Sequence, residues 1–89
     1  MALFMITNQH RPEDCPELSD ELVSYYETKK PTNVSGVYCN CKAGEHRMFF
    51  LIDAENTKES LETVPSGFLD SATTVTRVET AYKFASSEG

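Results

Sequence analysis

Eighty-nine residues leave room for one small core, and 39% hydrophobic residues are enough to fill it. Eight Lys and Arg against fourteen Asp and Glu give a net charge of −6, which argues against a surface built to neutralise phosphates and so against a nucleic-acid partner. No apolar run approaches the roughly 20 residues of a membrane span, and Met1-Ala2-Leu3-Phe4-Met5 lacks the basic flank and long apolar region of a signal peptide. The chain therefore reads as cytoplasmic and free of membranes, with its three cysteines kept as thiols rather than as a disulfide framework.

Residues 2–9, Ala-Leu-Phe-Met-Ile-Thr-Asn-Gln, form an apolar run short enough for a strand and too short for a buried helix. His10-Arg11-Pro12-Glu13-Asp14-Cys15-Pro16 breaks it, with Pro16 suited to the first position of a helix and Asp14 or Cys15 near its cap. In the helix that follows, to about Lys29, Leu18, Leu22, Tyr25 and Tyr26 are spaced i, i+4, i+7, i+8. Lys29 and Lys30 suit the negative end of its dipole, and Pro31 stops it. Val34 to Cys41 and His46 to Ala54 flank Lys42-Ala43-Gly44-Glu45, a Gly-containing connection of hairpin length, and are predicted to pair antiparallel. Asn56-Thr57-Lys58-Glu59 matches a capping box ahead of a short helix that Pro65-Ser66-Gly67 ends, with Phe68 and Leu69 expected to fold back over the core. Ala72 to Phe84 has strand composition. Val75 is out of phase with Val78, Tyr82 and Phe84, which predicts a bulge between Val75 and Val78. Residues 1–85 thus read as one domain and 86–89 as a solvated tail.

The order β-α-β-β-α-β is the split βαβ, ferredoxin-like plan of the α+β class: a four-stranded antiparallel sheet in the order 4-1-3-2 with both helices on one face. In the third strand Met48, Phe50 and Ile52 point one way and Phe49 and Leu51 the other; the first strand sets Phe4 and Ile6 against Leu3 and Met5. Two helices cover one face only, and leaving roughly four large apolar side chains in water forgoes about 1.5–3 kcal/mol each. An identical sheet is the simplest cover, which predicts a two-fold homodimer. On this pattern the chain resembles the dimeric α/β-barrel superfamily, whose ferredoxin-like subunits pair sheet to sheet, and the stretch from His10 to Pro16 is similar to one in small members of it. The resemblance implies a homodimer. The superfamily spans cofactor-free monooxygenases, isomerases, haem-degrading enzymes and small metal-binding proteins, so function has to be argued from the site.

His10 closes the first strand and Cys15 opens the helix, placing an imidazole and a thiol at one junction. With the third strand taken as running parallel to the first, Asp53 and Glu55 come to the same end of the sheet. Imidazole, thiol and carboxylate suit a borderline divalent ion such as zinc or nickel, so His10, Cys15 and Asp53 are the expected metal ligands. A His and a carboxylate also suit proton transfer at the mouth of a pocket; equally, His10 only hydrogen-bonds the loop and Cys15 packs as a small hydrophobe. Cys39-Asn40-Cys41 sets two thiols on one face of the second strand, too far apart for an unstrained disulfide, with His46 across the turn. These too are metal-competent types, but the spacing lacks a fourth ligand and the cluster falls at the opposite end of the sheet from His10. The alternative buries Cys39 and leaves Cys41 near the rim.

Tyr38 and Arg47 join His10 as candidate ligand-binding residues. A Tyr38 hydroxyl on the second sheet face needs a partner, and Arg47, the one cation of its strand, suits an anion or an acidic neighbour. No phosphate-cradling Gly loop, G-x-S-x-G or H-E-x-x-H occurs. The sequence reads best as a small homodimeric protein that binds a small molecule or metal ion in a cavity between sheet and helices. A cofactor-independent monooxygenase- or isomerase-like enzyme and a structural interaction module are the alternatives.

Overall fold

A computed structural model of the chain describes residues 1–70 and 72–84. The expected tail, 86–89, lies outside the described residues. Four strands, β1 (Ala2–Gln9), β2 (Val34–Cys39), β3 (Arg47–Ala54) and β4 (Thr73–Val78), alternate with helix α1 (Cys15–Lys29) and the one-turn helix α2 (Thr57–Leu61). The result is an α+β fold with a single antiparallel sheet in the order β2-β3-β1-β4, which from the β4 edge reads 4-1-3-2.

Alternation decides the two faces. Phe4, Ile6 and Asn8 of β1 and Met48, Phe50, Ile52 and Ala54 of β3 are buried, and each pairs or neighbours another of the set across the β1–β3 ladder. Leu18, Leu22 and Tyr26 of α1 and Leu61 of α2 pack on this face, and Val64 and Phe68 complete the core. The opposite face carries Leu3, Met5, Phe49, Leu51 and Val78, half-buried, and the exposed Tyr38.

Helix α1 ends as its sequence demands: Lys30 takes a left-handed φ of 46° and its N–H donates to the Tyr26 carbonyl, one residue before Pro31. Asn56 caps α2 by accepting the Glu59 N–H at 2.8 Å. Phe68 folds back into the core, its ring 5.5 Å from that of Phe50. Leu69, expected to do the same, is instead 38% exposed.

Three local expectations are corrected. Strand β2 ends at Cys39, and Cys41 opens a 3-10 turn over Cys41–Ala43, so the two thiols do not share a strand face. Strand β4 stops at Val78 with an unbroken register, Val75 opposite Ile6 and Val78 opposite Leu3. The phase change needs no bulge, because Val75 faces the helices, Val78 faces away, and Tyr82 and Phe84 lie beyond the strand. The irregularity sits in β2 instead, between Val34 and Gly36. Most consequential is strand direction. Strand β3 runs antiparallel to β1, with Gln9 opposite Arg47 and Leu3 opposite Asp53.

Candidate metal centre

Antiparallel pairing puts the last residue of β1 beside the first of β3. His10, one step past β1, donates its N–H to the His46 carbonyl at 3.0 Å, and the two imidazole rings meet edge to face at 5.5 Å. From His10 the chain turns through a 3-10 turn at Pro12–Asp14, where Pro12 supplies a fixed φ and no N–H to satisfy. Arg11 braces the turn by donating from Nε to Asp14 Oδ2 at 3.0 Å. Helix α1 then starts at Cys15, three residues before Leu18 and seven before Leu22, so its thiol shares the face that packs on the sheet.

On the other side, the β2–β3 connection folds around Asn40. Its side-chain Oδ1 accepts the Arg47 N–H at 2.8 Å, its own N–H donates to the Arg47 carbonyl at 3.2 Å, and its carbonyl accepts the Ala43 N–H at 3.0 Å. Gly44 takes a left-handed φ of 86° and His46 one of 55°. Gly44 does so freely, but at His46 the left-handed region carries a steric cost that the surroundings must hold in place. This turn directs Cys41 and His46 at the junction between β1 and α1.

One ligand atom from each of His10, Cys15, Cys41 and His46 lies within 4.8 Å of the other three, and all four residues are half-buried. His10 Nε2 stands 3.6 Å from Cys41 Sγ. With metal–sulfur bonds of about 2.3 Å and metal–nitrogen bonds of about 2.0–2.1 Å, neighbouring donors in a tetrahedral site are about 3.6 Å apart. The His10–Cys41 separation is therefore the one that two donors to a tetrahedral ion would have. His46 buries an Nδ1 with no hydrogen-bond partner, the kind of orphaned polar atom that an ion satisfies; the unpartnered Nδ1 of His10 is on the opposite side of its ring from the nitrogen that meets Cys41.

Electrostatics favours neutral ligands before an ion arrives. Burial lowers the His10 pKa below its ordinary value and His46 lowers it further, against an opposing pull from Asp14. The imidazole lone pair is thus free near neutral pH. Burial pushes the Cys41 thiol up to about 11, with Cys15 and Cys39 nearby adding to the rise. All three cysteines are free thiols.

Of the residues expected at the site, His10 and Cys15 are in the cluster and Asp53 is not. Asp53 pairs with Leu3 while His10 follows Gln9, so roughly 20 Å of strand separates them, and Asp53 instead accepts the Ser35 hydroxyl at 3.1 Å. The expectation failed because it took β3 as parallel to β1. That same error set Cys41 and His46 at the far end of the sheet, when they are the other two members of the cluster. The burial expectation for the cysteines is reversed too: Cys39 is exposed and Cys41 half-buried. Tyr38 and Arg47 belong to the opposite sheet face, Tyr38 57% exposed and Arg47 paired with Glu45 at 3.5 Å.

A signal for the four-residue cluster was present in the sequence. His10 and Cys15 are separated by four residues, and Cys41 and His46 by four residues in mirror order. Two such arms at the adjoining ends of antiparallel neighbours converge. No family model, curated protein or solved structure matches the chain. Among the described residues, no helix is long and apolar enough to cross a membrane.

Proposed function

We propose that the protein binds one divalent transition-metal ion, zinc in preference to nickel, through His10, Cys15, Cys41 and His46. The observation that carries this reading is the convergence of two thiols and two imidazoles from two separate loops. Two sulfurs and two nitrogens are a tetrahedral zinc set, whereas nickel favours square-planar or tetragonal surroundings. Four protein donors fill a tetrahedral ion and leave no position for substrate, so the ion serves to hold structure or to be carried rather than to activate water. It would tie the β1–α1 junction to the β2–β3 turn across about 30 residues of chain, a clasp between the two halves of the fold.

The wider assembly follows from the uncovered sheet face. A second copy packed on Leu3, Met5, Phe49 and Leu51 gives the homodimer of the dimeric α/β-barrel plan, with the ferredoxin-like sheets face to face. The outward row of β3 supports a self-complementary contact: Arg47 stands at one end and Asp53 at the other. A two-fold axis across the strand sets each charge against its opposite on the second copy.

Cobalt(II) titration with melting curves tests the metal reading. The wild-type chain takes up one cobalt with the visible bands and sulfur charge transfer of a tetrahedral thiolate site, and zinc raises its melting temperature. His10→Ala and Cys41→Ser each remove both responses. Variants that still bind as wild type does would refute the assignment.

A further inference from the structure

A third thiol stands beside the four proposed ligands. Cys39 is the last residue of β2, opposite Met48 and so on the helix-covered side of the sheet. With His10, Cys15 and Cys41 it lines a cavity of about 220 Å³ between α1 and the sheet. It stands two residues from Cys41 and outside the four-residue cluster, and it is exposed where Cys15 and Cys41 are half-buried. A tetrahedral ion has four places, and two imidazoles and two thiolates fill them. Cys39 is therefore surplus to holding the ion, but it is soft, adjacent to a ligand and open to solvent. Those are the properties of a donor that enters the shell when another leaves.

We propose that Cys39 is an exchange ligand, through which the metal passes between the half-buried centre and a thiolate- or nitrogen-bearing acceptor in solution. The proposal rests on the metal centre described above and gives it a role: a carrier that releases its ion by ligand substitution, in place of a permanently closed structural site. In the step, Cys39 Sγ–H gives its proton to water and forms a bond to the ion. One metal–imidazole bond breaks and the imidazole departs neutral. The ion keeps four bonds and its oxidation state, and no electrons are transferred. It now stands nearer solvent, held by three thiolates and one imidazole, where an incoming chelator displaces the remaining ligands.

The test compares wild type with Cys39→Ser as full-length, zinc-loaded protein, following transfer to 4-(2-pyridylazo)resorcinol over a range of chelator concentrations. The variant is expected to keep one zinc per chain and the wild-type cobalt spectrum while its transfer rate falls by at least about tenfold, the scale on which neighbouring groups tune metal sites. A transfer rate unchanged in Cys39→Ser overturns the proposal. Weakened equilibrium binding in the variant also overturns it, by making Cys39 a resident ligand. Absence of a cobalt spectrum in wild type would instead strike the metal centre itself, and the exchange role with it.

Discussion

His10 and Cys41 are shifted in directions that both favour the uncharged side chain, and this gives the metal-free protein a definite pH profile. His10 folds with its pKa below 6.5, so its contribution to stability is complete above that value and is lost as pH falls through it and below. Cys41 folds with its pKa raised from 9.0 to about 11, so its contribution is complete below 9.0 and is lost as pH rises towards 11. Urea unfolding of the metal-free protein should therefore show greatest stability between these limits, with Cys41→Ala removing the alkaline decline. Metal binding runs against the alkaline decline set by Cys41. The ion must displace the Cys41 proton throughout this range, so zinc affinity should climb by about tenfold or more per unit from pH 6 to pH 8. Competition titrations at three pH values read that slope, and a flat profile would exclude Cys41 as a thiolate ligand.

At the scale of elements, the proposed centre depends on two turns that position its four candidate ligands. Asn40 carries the β2–β3 turn by accepting the Arg47 N–H, with Cys41 and His46 on either side of the turn it closes. Asn40→Ala leaves all four donors in place but frees the turn, and should weaken zinc binding by about 10-fold, as lost supporting hydrogen bonds do at metal sites. Isothermal titration of the variant measures this, and unchanged affinity would show that the turn is held by other means. Much at this scale was legible from residue types alone. The i, i+4, i+8 spacing of Leu18, Leu22 and Tyr26 gave the packed face of α1, Pro31 its end, and Asn56 with Glu59 the start of α2, because these depend on neighbours within a turn or two of chain. The composition of the metal cluster was not legible in the same way. It depends on which ends of β1 and β3 adjoin: the antiparallel order 4-1-3-2 already sets β3 against β1, and taking the two as parallel contradicted that order, while the exact register is not written in the alternation of either strand. His10 and Cys15 were recognisable as one junction, while Cys41 and His46 could be joined to them only by the register that sets Gln9 against Arg47. Burial of Cys39 and Cys41 was misread for a related reason: alternation applies only while the strand lasts, and β2 ends between them.

In the whole molecule, one sheet face builds the core and the cluster beside it, and the other carries the half-buried Leu3, Met5, Phe49 and Leu51 on which the proposed assembly rests. Phe50 is fully buried, its ring against that of Phe68 in the core cluster it shares with Ile52, and the ring of Phe68 also meets His10 at 6.3 Å, so core and cluster share a wall. Phe50→Asp should prevent folding, since an unpaired carboxylate in the core costs several kcal/mol. Phe49→Asp, one residue away on the uncovered face, should keep the fold and the metal but yield a monomer in sedimentation where wild type is a dimer. A wild-type chain that sediments as a monomer at micromolar concentration would rule out the sheet-to-sheet assembly while leaving the centre intact. The centre itself is tested most directly by X-ray absorption at the zinc edge on the loaded protein. Two sulfurs at about 2.3 Å and two nitrogens at about 2.0–2.1 Å are the expected first shell, at one zinc per chain. A shell of nitrogen and oxygen alone, or zinc that dialyses away without an ordered shell, would contradict it.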